Sequence, residues 1–268
     1  MLNKLEYQRD IHLSIVSHGQ WHLVRELLQD LDSLGCRERL QITLTCNIPE
    51  LDNYAVDSFS FPVMVIENTQ PQGFGENHNQ AFLQPSDKAV RKYYFVINPD
   101  VRIPQDVFSE LLQQLDSESE AGIVAPIVVN NKGELEDSVR SLPTPWIIIK
   151  KVFGIREYHS VENIHVIFKP DWIAGMFMGF RSDVFSDIQG FDGKFFLYYE
   201  DVDICSRLWL AGLQVQVNPG IAIIHNAQRD SHRNFNYLKW HLGSMLRFFL
   251  SGVYRQVKKF HLKRLEKK

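Results

Sequence analysis

The sequence predicts an α/β fold built on a central, mostly parallel sheet flanked by helices. Three observations carry this. Short β-branched runs alternate with stretches of helical periodicity. One run, from Lys92 to Asn98, is almost wholly apolar, as a central strand buried on both faces must be. Three of the runs end in polar residues, at Ser17-His18-Gly19, Cys46-Asn47 and Asn98-Pro99-Asp100. The carboxyl ends of parallel strands are where such sheets bind ligands.

The elements follow in order. His12–Ser17 reads as a buried strand, and Val24, Leu27, Leu28, Leu31 and Leu34 recur at helical spacing up to Gly35. Leu40–Cys46 and Pro62–Glu67 are further strands. Gly73-Phe74-Gly75 breaks the chain before a helix from Glu76 to Leu83. Val107, Leu111, Leu112 and Leu115 mark another helix, and Gly122–Val129 another strand. Pro143, Pro145 and a mixed polar pattern predict a long irregular excursion over 130–170. Strands are expected at 172–180 and 213–224, with an acidic helix from Asp201 between them and a last helix near 235–251.

At 268 residues the chain fits one large domain or two intimate ones. No apolar run approaches a membrane span. The first ten residues are polar and lack the apolar core of a signal peptide. Cys36, Cys46 and Cys205 show no paired spacing, which points to a reducing, cytoplasmic compartment and away from a cysteine zinc site. The net charge of -3 is unevenly spread: Tyr254–Lys268 carries seven Lys/Arg against one Glu. An acidic body with a basic tail predicts an anionic partner for the tail.

The segment Phe195-Phe-Leu-Tyr-Tyr-Glu-Asp-Val-Asp203 ends an aromatic run in three carboxylates. Acids at a helix start complement its dipole. Acids in a dry place also bind something or move protons. Asp100, at a strand end beside a Pro-fixed turn, suits a hard cation, although Asn, Pro and Asp also make ordinary turns. The stretch Gly73–Asn79 fails the dinucleotide fingerprint because its sixth position is His78, which disfavours a nicotinamide enzyme. It still offers backbone N–H groups at a helix start. His225 follows an apolar strand, where a lone histidine is more often a core residue. Arg229, His232 and Arg233 form a cationic loop suited to phosphates or simply to solvent.

Taken in order, these pieces resemble the nucleotide-sugar glycosyltransferases of family 2, of the A-type fold. They are most similar to bacterial O-antigen and cell-wall rhamnosyltransferases. The matching pieces are Ser14-Ile-Val-Ser17, Gly73–Asn79, Phe95-Val-Ile-Asn-Pro-Asp-Val101 and Ser138-Val-Arg-Ser-Leu-Pro143. Then come Asp171-Trp-Ile-Ala-Gly-Met-Phe-Met178, Gly190-Phe-Asp192, Phe196–Arg207 and His225-Asn-Ala-Gln228. The resemblance covers roughly residues 12–250 and implies a catalytic domain over 1–233 with a helical, basic extension over 234–268.

The resemblance also implies roles. Asp201 is the catalytic base, and Asp100 with His225 holds Mg²⁺ or Mn²⁺. Asn98 stands in the place of the family's first acid. Ser17, Asn47, Gly73, Phe74, Gly75, Asn77, Asn98, Arg229 and Arg233 line the nucleotide-sugar side. Asp171, Trp172, Gly175 and Glu200 lie near donor sugar and acceptor, with Asp203 paired to Arg207. Relatives carry an Asp-Asn pair after the second strand, where this chain has Thr45-Cys46-Asn47-Ile48-Pro49-Glu50, so the acid expected to grip base or ribose is missing or shifted.

The implied activity is transfer of L-rhamnose from dTDP-rhamnose to a polysaccharide acceptor linked to polyprenyl diphosphate. Galactofuranosyl or hexosyl transfer, and a non-catalytic sugar-nucleotide-binding scaffold, are the alternatives. A peripheral position on the inner face of the cell membrane, through the basic tail, is expected. No nucleic-acid partner is expected.

Overall fold

The computed structural model describes residues 9–50, 55–84, 91–147, 166–226 and 235–266. Its centre is an 8-stranded sheet in the order β3-β2-β1-β4-β9-β6-β10-β5. These strands are β1 (Ile11–Ser17), β2 (Leu40–Cys46), β3 (Val63–Glu67), β4 (Tyr93–Ile97), β5 (Val101–Arg102), β6 (Ala121–Val129), β9 (Phe177–Arg181) and β10 (Gln214–His225). β7 (Val139–Arg140) and β8 (Trp172–Ile173) form a separate antiparallel pair.

The pairings β1–β2, β2–β3, β1–β4 and β6–β10 are parallel, whereas β9 and β5 run the other way. The carboxyl ends of β1, β2, β3, β4, β6 and β10 therefore share one edge. β4 is central, as its apolar run predicts, and all five of its residues are buried. Alternation sends Tyr93, Phe95 and Ile97 into one core and Tyr94 and Val96 into the other.

The first core is closed by α1 (Trp21–Ser33) and α3 (Phe108–Ser117). The second is closed by α4 (Ser182–Asp187), α5 (Glu200–Leu210), α6 (Phe235–Leu250) and α7 (Gly252–Leu265). α2 (Phe74–Phe82) follows β3. α5 ends at Gly212, whose φ of +80° suits glycine.

Two expectations are corrected. The stretch 172–180 is not one strand. It turns at Ala174–Met176, so β8 pairs with β7 while β9 enters the main sheet antiparallel to β4. Apolar content alone does not register such a reversal. The helix expected near 235–251 is found at Phe235–Leu250 but is not the last: the Ser251 hydroxyl caps a further helix by accepting from the Tyr254 amide at 3.0 Å. α7 packs Tyr254 and Val257 into the second core. Of the excursion over 130–170, residues 148–165 lie outside the described residues.

Candidate active site

Asp100 and His225 are 125 residues apart and meet because of β5. This two-residue strand pairs antiparallel with the end of β10, setting Val101 opposite His225. Arg102 anchors it by forking onto Asp30 of α1, with Nε 2.6 Å and Nη2 2.7 Å from the carboxylate oxygens. His225 Nε2 then lies 3.2 Å from Asp100 Oδ2. Asp100 Oδ1 is buried and has no hydrogen-bond partner among the described residues. The other face of the imidazole, Nδ1, lies 2.6 Å from Glu136 Oε2. Burial lowers the His225 pKa, but the carboxylates of Asp100 and Glu136 outweigh it and leave the pKa above the ordinary histidine value.

This donor set suits a divalent cation. An orphaned carboxylate oxygen beside an imidazole nitrogen gives two ligands, and hard cations complete their shells with phosphate and water oxygens. Among the described residues no group of three or more His, Cys, Asp or Glu is arranged to hold a metal.

Asn98 connects this corner to the next. Its amide donates to the Met176 carbonyl at 2.9 Å, so the 174–176 turn lies against the end of β4. A Cβ placed on Gly175 would lie 3.9 Å from Asp201 Cβ on one side and 3.1 Å from Phe74 Cζ on the other. Asp201 opens α5 and accepts from the Val202 amide at 2.8 Å. Burial raises its pKa, opposed by the Val202 and Gly175 amides and by the Arg140 guanidinium. Glu200 is 5% exposed, and its Oε2 has no partner among the described residues. Burial first, then the charge of Asp201, push the Glu200 pKa well above the ordinary carboxylate range. Asp203 pairs with Arg207 at 2.7 Å as expected, and Arg207 also donates to the Ile188 and Gly190 carbonyls.

The approach to these acids is strained. Tyr198 and Tyr199 both adopt left-handed backbone, with φ of 69° and 66°. Bulky residues rarely do so, at about 1–3 kcal/mol each, and such strain gathers at functional sites. The loop 195–199 is held from two sides. Phe74 donates its amide to the Phe196 carbonyl at 2.8 Å, and Ser244 of α6 donates to the Leu197 carbonyl at 2.9 Å.

The glycines of Gly73–Asn79 are explained by this closeness. A Cβ on Gly73 would lie 2.9 Å from the Phe196 backbone, and one on Gly75 would lie 2.5 Å from Phe191 Cβ. Asn79 completes the join by exchanging two hydrogen bonds with the Phe191 backbone, at 2.8 and 2.9 Å. His78 is fully buried against Ser14, and burial lowers its pKa to about 3.

Ser17, Asn47 and Asn77 gather at the ends of β1 and β2 and the start of α2. Asn68 Nδ2 donates to Asn47 Oδ1 at 2.9 Å and to Asn77 Oδ1 at 2.7 Å. Asn47 also grips the Gln72 backbone through both its amide groups. These asparagines fix the 68–73 loop. Glu50, in the region where relatives carry their acid, accepts from the Ser17 hydroxyl and from the Gly19 and Trp21 amides, and so caps α1. Asp171 turns its carboxylate to the Leu142 amide at 2.9 Å and to His261 and Arg264 of α7, at 3.1 and 3.4 Å. Burial raises its pKa, but these partners together hold it below the usual range. Trp172 donates its indole N–H to the Ser141 carbonyl at 2.7 Å and carries the Arg140 guanidinium over its ring.

Residues 95–260 match the family described as glycosyl transferase family group 2. The rhamnosyltransferase WbbL of Escherichia coli (strain K12) is 30% identical over 252 residues, which cover 89% of this chain and 92% of that one. The chain belongs to glycosyl transferase family group 2. An N-acetylglucosaminyl-diphospho-decaprenol L-rhamnosyltransferase of Mycobacterium tuberculosis (strain ATCC 25618 / H37Rv) is 24% identical over 187 residues, 60% of this chain and 58% of that one. In fold the glycosyltransferase is similar to GalNAc-T7, solved with UDP, GalNAc and Mn²⁺: the TM-score is 0.60 at 11% identity, covering 80% of this chain and 42% of that one. The family assignment and this likeness make the protein a glycosyltransferase of the A-type fold.

Two residues of this glycosyltransferase escaped the reading from sequence. Glu136 sits in what reads as irregular chain, and a short hairpin marked by the Val129–Leu135 bridge brings it beside His225. Arg140 lies inside a matching motif, but only the β7–β8 pairing turns its charge toward Asp201. Arg229 and Arg233 lie outside the described residues.

Proposed function

We propose that this glycosyltransferase inverts configuration, moving L-rhamnose from dTDP-rhamnose to a hydroxyl of a saccharide carried on polyprenyl diphosphate. The single observation that carries the reading is the 174–176 turn. Asn98 binds it and Asp201 packs on it, so this one turn links the end of β4, beside Asp100, to a half-buried acid at the start of α5. The rhamnose and lipid parts are supported by the two relatives, a rhamnosyltransferase and an N-acetylglucosaminyl-diphospho-decaprenol L-rhamnosyltransferase.

Asp201 takes the proton of the acceptor hydroxyl as that oxygen attacks the anomeric carbon from the face opposite the diphosphate. The bond from that carbon to the diphosphate oxygen breaks, and the nucleoside diphosphate leaves with the electron pair. General-base help of this kind is worth about 10²–10⁴-fold. Glu200 and Asp201 divide the work by environment. Asp201 has two amides and a guanidinium to favour its charge, whereas burial and the charge of Asp201 push the Glu200 pKa well above the ordinary carboxylate range and favour its neutral form. Asp100 and His225 would hold Mg²⁺ or Mn²⁺, which supplies charge neutralisation to the diphosphate. Asn47, Asn68 and Asn77 keep the 68–73 loop in place for the nucleotide, and Trp172 and Arg140 wall the sugar side. Residues 1–233 form the catalytic body and 234–268 an extension docked on it.

A thermal-shift panel of nucleotide-sugars with Mg²⁺ or Mn²⁺ tests the donor, because ligand binding raises apparent stability by mass action. dTDP-rhamnose is expected to give the largest shift. A larger shift with another donor would replace the rhamnose assignment, and no shift with any donor would count against the site.

A further inference from the structure

α6 presents two faces of different character. Its inner face packs on the loop that leads into Glu200 and Asp201. Besides the Ser244 bond, Trp240 lies 4.9 Å from the Phe196 ring, His241 lies 5.2 Å from Tyr198, and Phe248 lies 5.7 Å from Tyr199. Its outer face exposes Leu238 (54%), Leu242 (48%), Leu246 (58%) and Leu250 (70%). A step of four residues is just over one turn, so these leucines form one stripe along 16 residues of helix. Isolated exposed leucines need no explanation, but a full-length stripe on one helix does.

The surrounding charge says what covers it. From Phe235 to Leu265 the chain carries seven Lys/Arg and no Asp or Glu. On α7, Arg255, Lys258, Lys259 and Lys263 are exposed. Two copies meeting through this face would bring like charges together, whereas an anionic lipid surface complements them.

We propose that the leucine stripe of α6 rests in the interface of an anionic phospholipid bilayer, with the cations of α6 and α7 on the headgroups. The inference rests on the reading of the acceptor as lipid-linked and deepens it. The contact surface is α6 itself and not only the basic tail. Its inner face stays packed on protein, so the helix lies flat on the membrane. Because that inner face holds residues 196–199, membrane contact and the catalytic acids are joined by one layer of side chains.

Co-sedimentation of the full chain with phosphatidylcholine vesicles, with and without phosphatidylglycerol, tests this. Each cation near an anionic leaflet contributes about fivefold to partitioning, so strong binding is expected only with phosphatidylglycerol. A variant with Leu238, Leu242, Leu246 and Leu250 all changed to Ser is expected to bind at least tenfold more weakly, with unchanged melting temperature and unchanged acceptor-independent donor hydrolysis. That hydrolysis separates a failed membrane surface from a failed glycosyltransferase assignment. Wild-type protein that ignores vesicles, or a variant that binds like wild type, overturns the proposal. So does a wild-type dimer in light scattering that the variant converts to monomer, since the stripe would then join copies. If the fourfold variant melts early, Leu246→Cys carrying a polarity-sensitive dye is read instead. A blue shift with anionic vesicles supports the contact, and unchanged emission overturns it.

Discussion

His225 holds Glu136 on one ring nitrogen, 2.6 Å away, and turns the other toward Asp100 at 3.2 Å. A carboxylate behind a metal-binding imidazole fixes its tautomer and orientation, and losing it typically lowers metal affinity about 10–100-fold. Glu136→Ala is therefore expected to weaken Mn²⁺ binding by that factor in calorimetry, with the fold intact by circular dichroism. Unchanged Mn²⁺ affinity would remove Glu136 from this role.

Glu200 makes a separate prediction about stability. Its pKa is raised in the folded chain, so the stability that its protonated form contributes is present below its unfolded value, about 4.3, and is lost as pH rises through the folded value. Glu200→Gln keeps the neutral shape at every pH. The variant should melt above wild type at pH 8, by about 2–4 °C for each kcal/mol recovered, with the gap closing below about pH 4. It should also keep most transferase activity, which a catalytic charge on Glu200 would forbid.

Activity should depend on pH through the same pair. Both acids are raised, so the acid limb of the kcat/KM profile is expected above the ordinary carboxylate range, with apparent values that belong to the pair. A profile flat down to pH 4 would show that neither acid titrates in the reaction.

Much of the fold was legible because period and polarity are local. β2 matches its reading residue for residue, β4 is central, and the acidic helix starts at Glu200. What escaped depends on contacts distant in sequence. The reversal at Gly175 follows from β9 sliding between β4 and β6, which no local pattern encodes. Glu136 reads as one acid in a polar loop until β6 and β10 align side by side. The glycines of Gly73–Asn79 suggest a ligand turn, yet the spaces at Gly73 and Gly75 are filled by the 191–196 chain. The extension was expected to be helical, but not how α7 docks: its cations mask an inner face of Tyr254, Val257 and His261.

The Gly75 contact can be measured directly. Gly75→Ala puts a methyl 2.5 Å from Phe191 Cβ and should cost about 1–3 kcal/mol by overpacking. Phe191→Gly, which removes that Cβ, will itself destabilise, but in the double variant the two losses should fall short of their sum by at least about 0.5 kcal/mol, as contacting residues do. Strict additivity in denaturant melts would mean that the backbone, not the Phe191 side chain, fills that space.

As proposed, Asp201 removes the acceptor proton and is not needed to bind the donor. The most direct measurement compares wild type and Asp201→Asn in acceptor-dependent release of nucleoside diphosphate, alongside donor affinity by calorimetry. A loss of at least about 10²-fold in turnover is expected, with donor affinity within a factor of about two. Near-normal turnover by Asp201→Asn, at unchanged donor affinity, would contradict it.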